Sequence, residues 1–185
     1  MEVNREAIEE IISTKEVIRG KIEDGVKQYA AIFRMYREKQ IQSDCFKKTF
    51  CRFYRVRGKI NRDEIFKIIA DNGDLSYSDI LRRLSLNENV VNISFASKVL
   101  HTRNNSSPIY DIVIANFFHI HRKAKEYTAR FNEAVEIYTS LQGICGDKDK
   151  NGLSKLSKTF DEIFTSYKDF SDEKKIDFMI WGYGR

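Results

Sequence analysis

The chain has 185 residues, 42% apolar and 32% charged, a balance that allows one packed domain and excludes wholesale disorder. One proline and nine glycines are too few for a turn-rich β-sandwich, so an all-α fold of long helices is expected. The net charge of +5 is local: residues 46–59, FKKTFCRFYRVRGK, hold six basic side chains and no acid, so the other 171 residues sum to −1.

Ile8, Ile11, Ile12, then Ile18, Ile22, Val26, Tyr29, Ile32 and Phe33 recur at helical spacing, which predicts two helices over about 3–39 with Thr14 opening the second. Ser43 with Asp44 starts a third helix and Gly58 stops it. On it Lys48, Arg52, Arg55 and Lys59 follow one another by four, three and four residues, a single basic stripe. Short amphipathic helices follow near 61–71 and 77–86, and another begins after Asn92. Beyond Pro108, Asp111 stands where a helix N-cap belongs, ahead of IVIANFF, and that helix is expected to run to about 142. Helices near 153–168 and 173–182 close the chain, which reads as one helical domain with residues 1–42 as a possible subregion.

The N-terminal MEVNREAIEE is polar and no apolar run is long enough to span a bilayer, so no signal peptide, no membrane partner and a cytoplasmic location are expected. Cys45, Cys51 and Cys145 are too few for a disulfide framework and read as buried apolar residues. No histidine pairs with a cysteine at zinc-binding spacing, and His119 and His121 fall on different helix faces, so no metal or other cofactor is expected. Lys174, Lys175, Asp177 and Trp181 read as a functional group or, the favoured reading, as a C-terminal helix anchored in the core by its tryptophan, with Asp161 and Asp177 as caps or surface charges.

Two segments carry candidate chemistry. The basic stripe, with Arg57 beside it, can match successive phosphates one helical turn apart, and ordinary surface helices mix their charges where this one does not. In residues 92–118, Ser94, Lys98 and His101 are spaced to share a helix face, and the chain then loops back to Asp111. An aspartate at a helix start feels the helix's positive end and is expected to stay ionised near neutrality.

These motifs resemble a known family. The short helix, the loop and Pro108-Ile109-Tyr110-Asp111 are similar to the end of the catalytic region in the helix-hairpin-helix DNA glycosylases. Residues 53–57 (FYRVR), 94–102 (SFASKVLHT), 108–111 (PIYD) and 174–182 (KKIDFMIWG) also look like a group of bacterial 8-oxoguanine glycosylase-like proteins. The resemblance implies that Asp111 assists removal of a flipped base. Counting back to the position of the family's lysine lands on Ser94, with Lys98 one turn later. The stretch Leu86–Asn92, where the family has its glycine-rich hairpin, holds no glycine and carries Glu88, which shifts backbone anchoring toward the basic stripe.

The expected function is therefore a DNA-binding, monofunctional glycosylase serving DNA repair or defence against phage DNA. Asp111, Ser94 and Lys98 are its catalytic candidates and Tyr110 its base-pocket candidate. Lys48, Arg52, Arg55, Arg57, Lys59 and His101 are its DNA contacts. The alternatives are a non-catalytic nucleic-acid binder, with a helix-turn-helix in 61–101 presenting Arg82 and Arg83, and a protein–protein adaptor with an acidic partner.

Overall fold

A computed structural model describes residues 3–56, 60–85 and 90–185. Among these the fold is all-α, as the glycine and proline scarcity predicts. The helices are α1 (Arg5–Ser13), α2 (Lys15–Arg37), α3 (Asp44–Phe53), α4 (Arg62–Ala70) and α5 (Tyr77–Ser85), then α6 (Ile93–Arg103), α7 (Ile112–Phe117), α8 (Tyr127–Gly146), α9 (Ser154–Ile163) and α10 (Asp172–Tyr183). None of them is long and apolar enough to cross a membrane.

Side-chain caps set several starts. Asn4, Ser43, Asn61 and Ser171 each accept a hydrogen bond from the backbone three residues on, which satisfies a first-turn N–H that would otherwise be orphaned. Thr14 stands at the break before α2 as expected, but its side-chain bond is a different one. Its hydroxyl donates back to the Glu10 carbonyl, so it closes α1 and makes no side-chain cap for α2.

The apolar faces of these helices meet in one contiguous core. α2 and α9 flank α10; α3 lies on α2, and α4 and α5 pack on α6. Arg103 at the end of α6 donates to the carbonyls of Ile68, Asp71 and Gly73, which ties α6 to the end of α4. Arg83 is paired with Glu64 at 2.8 Å and Asp71 at 2.9 Å. Those pairs turn it back onto α4 and disfavour the helix-turn-helix reading, which needs it outward.

Three helices stop earlier than their periodicity suggests: α9 ends at Ile163 rather than near 168, with a separate 3-10 turn at Thr165–Tyr167, and α3 and α7 close in left-handed turns. α3 ends at Phe53 because Arg55 enters the left-handed region (φ 51°), with Arg55 N–H donating to Arg52 O and Val56 N–H to Cys51 O. α7 ends at Phe117 in the same way: His119 has φ 52°, its N–H donates to Asn116 O, and Ile120 N–H donates to Ala115 O. Both are Schellman closures, with an arginine and a histidine in the position that glycine usually takes. The expected single helix to 142 is therefore two, and the basic stripe bends off its helix at Arg55. Cys45 is exposed and Cys51 half-buried; Cys145 alone matches the buried reading.

Candidate functional site

A cleft of about 820 Å³ opens between α2, α3, α6, the start of α7, and α10. That is within the range of small-molecule sites. Asp111 lies on its wall. Its extended backbone (φ −147°) swings the side chain onto the α7 N-terminus, where Oδ1 accepts from Val113 N–H at 2.9 Å and Ile114 N–H at 3.0 Å. Oδ2 takes no part in either bond. The helix end favours the ionised form through its two N–H groups, as Lys98 does, but burial, then the Asp177 charge, outweigh them and raise the pKa above the ordinary value.

Ser94 and Lys98 line the same cleft from α6, and Lys98 Nζ donates to Ser94 Oγ at 3.0 Å. The ammonium stands 5.2 Å from the Phe95 ring centroid and 5.8 Å from that of Tyr54. His101 does not join them, which corrects its assignment to DNA. It is fully buried between Tyr29, whose hydroxyl is 2.8 Å from Nε2, and the Ser107 carbonyl, 2.7 Å from Nδ1. Burial first, with the nearby Lys174 charge, pushes its pKa down to about 3, so it stays neutral.

Tyr110 is also corrected. Along the extended approach to Asp111 side chains alternate, so Ile109 and Asp111 face the cleft while Tyr110 is buried on the other side. Its N–H donates to Ser97 Oγ at 2.9 Å and its carbonyl accepts from the same hydroxyl at 3.2 Å, which fixes that alternation. The aromatic faces of the cleft come instead from Phe53, Tyr54, Phe95, Phe178 and Trp181.

Arg52 and Arg55 are exposed at the rim, joined by Lys21 and Arg185. The Arg185 guanidinium lies 3.3 Å from the Trp181 ring centroid. Lys48 is exposed on α3 one turn before Arg52, outside the cleft lining. Arg57, Lys59 and positions 86–89 of the hairpin-equivalent stretch lie outside the described residues.

The floor realises the functional alternative for the C-terminal helix rather than the core-anchored reading. Asp177 and Trp181, expected at the surface and in the core, both line the cleft. Lys174, 2% exposed, is paired with Asp177 Oδ2 at 2.7 Å. Its ammonium is ringed by aromatic centroids: Phe178 at 4.3 Å, Tyr29 at 4.6 Å, Phe53 at 5.1 Å and Tyr54 at 6.0 Å. Two buried charges are tolerated here because each is the other's partner and the π faces replace part of the lost hydration. Lys175 is likewise buried, on Asp161 at 2.9 Å. Among the described residues no cluster of three or more His, Cys, Asp or Glu side chains could hold a metal ion.

The cleft is thus layered, with cations and the exposed Asp24 around the opening, aromatic faces on the walls, and Asp111 and Asp177 on one wall and the floor. No protein-family model matches the chain, and no curated protein or solved structure shows significant similarity to it.

Proposed function

We propose that the chain binds DNA and hydrolyses the N-glycosidic bond of a base flipped into this cleft. The observation that carries the reading is the convergence in one cleft of Asp111, five aromatic side chains and the rim arginines. A flipped nucleotide has three parts of matching chemistry: a phosphate for Arg52 and Arg55, a planar base for the rings, and a sugar that becomes cationic as the bond breaks.

In the reaction the C1′–N bond breaks and its electron pair leaves with the base. The Asp111 carboxylate stabilises the positive charge that develops on the sugar and orients a water. The water oxygen bonds to C1′, and its proton passes to the carboxylate. The raised Asp111 pKa sets the acid limb. Activity needs the ionised form, so base release declines as pH falls through a value above the ordinary carboxylate range.

The test is Asp111→Asn against duplexes carrying a panel of damaged and modified bases, with abasic sites revealed by hot alkali. Asparagine keeps the oxygen that caps α7, so the variant should fold and bind DNA as well as the parent or slightly better. Base release should drop roughly a hundred- to a thousandfold, the usual loss for one transition-state electrostatic contact. DNA binding without base release by the parent would favour the non-catalytic binder, and indifference to DNA would favour the adaptor.

A further inference from the structure

Lys98 has no step in the reaction above, yet it is set into the cleft rather than left on the α6 surface. An ordinary helix lysine extends into water or pairs with an acid a turn away. Here, among the described residues, no carboxylate lies within ion-pair distance of the amine, and its hydrogen bond goes to the uncharged Ser94 hydroxyl. Phe95 and Tyr54 flank the ammonium, and it faces the same space as Asp111. One N–H is held by Ser94, so two remain for the cleft.

The charged groups around it come from three elements: Asp111 at the start of α7, Asp177 and Lys174 on α10, and Arg55 after α3. Burial is the largest influence and lowers the amine's pKa. Lys174 and Arg55 push the same way, and the two carboxylates oppose without reversing it.

We propose that Lys98 is the general acid that protonates the departing base. This role rests on the glycosidic reading of Asp111. As the C1′–N bond breaks, the electron pair that moves onto the base is neutralised by a proton from Nζ, which leaves a neutral amine. Water adds to C1′, its proton goes to Asp111, and proton exchange with solvent returns both groups to their starting states. Base, sugar and water balance with no further reactant. A hydroxyl partner suits the task, because Ser94 holds the amine in place without adding a negative charge that would bind its proton more tightly.

The experiment measures single-turnover base release from duplexes containing hypoxanthine, uracil, 8-oxoguanine or 7-methylguanine. The last base already carries the positive charge that a proton would supply. Lys98→Gln should lose at least about a hundredfold on each neutral base that the parent releases, within the usual range for general acid catalysis. Its loss on 7-methylguanine should stay under about tenfold. On the neutral bases the parent's rate should decline as pH rises through the lowered amine pKa, and Lys98→Gln should lack that limb. Lys98→Arg keeps the charge but holds its proton too tightly to give it, so it should fail like Lys98→Gln.

Equal losses on neutral and cationic bases, rescue by Lys98→Arg, or an unchanged alkaline limb would overturn the role. So would a borohydride-trapped adduct that disappears in Lys98→Gln, since the amine would then attack the sugar. Should the parent release none of the four bases, the Asp111 reading falls and this role with it. If the parent acts and Asp111→Asn does not, a failure confined to the Lys98 comparisons leaves the glycosidic reading standing.

Discussion

Replacing Lys174 by methionine would test whether the floor of the cleft is one coupled unit. The ammonium and Asp177 Oδ2 are 2.7 Å apart with side-chain exposures of 2% and 11%. At an effective dielectric near 20 their attraction is about 6 kcal/mol. Burying the two ions costs several kcal/mol each, so the intact pair is close to neutral for stability. Methionine fills similar volume and keeps contact with Phe178 and Tyr29, but it strands the Asp177 charge. The expected cost is about 3–5 kcal/mol, plus up to about 2 kcal/mol of lost ammonium–ring attraction. For a chain of this size that is roughly a 6–28 °C fall in Tm. The assay is urea unfolding at neutral pH, and Lys174→Met/Asp177→Leu should recover most of the loss. A single variant as stable as the parent at neutral pH, or a double variant no better than the single, would refute the coupling.

Three further outcomes follow from the rim and the core. Arg52→Glu with Arg55→Gly should weaken binding to all DNA sequences alike and flatten its salt dependence, read by fluorescence anisotropy at several salt concentrations. Arg55→Gly alone should leave thermal stability equal or raised by up to about 1 kcal/mol, because φ 51° suits glycine, while still weakening DNA binding. Gly182→Ala should destabilise the fold by about 1–3 kcal/mol in a urea melt, since its Cβ would come within 2.6 Å of Ile18 Cγ2 and 2.7 Å of Ile22 Cγ2.

Helix positions were legible because apolar spacing survives in almost every element: Ile18, Ile22, Val26 and Tyr29 face the core of α2 as their period requires. Where three of the helices end was not. A reader of sequence looks for glycine at a helix stop, and α3 and α7 stop at Arg55 and His119 instead. Nothing local distinguishes those residues from helix interior. The left-handed turn is imposed by tertiary packing, with Val56 and Phe118 held in the core. Gly58, the expected stop of α3, lies outside the described residues, and α3 ends before it at Phe53.

The cleft shows the same division. Asp111 could be found because a cap has a local signature, and the Ser94–Lys98 pairing because it needs only one helical turn. Tyr110 failed by the same reasoning that would have rescued it: in extended chain, if Asp111 faces the cleft, its immediate neighbour faces away. The floor has no local signature that separates a functional reading from a core-anchored helix. Lys174 and Asp177 three residues apart on a helix look like a solvated pair, and what makes them otherwise is four rings delivered by α2, the end of α3 and α10. Local chemistry is visible in a sequence when a side chain acts on its own backbone or its own helix turn. It is hidden when its meaning comes from the solvent it has lost. That is why a charge pair which reads as surface became the floor of the cleft, where the Asp177 charge adds to the larger effect of burial in raising the Asp111 pKa.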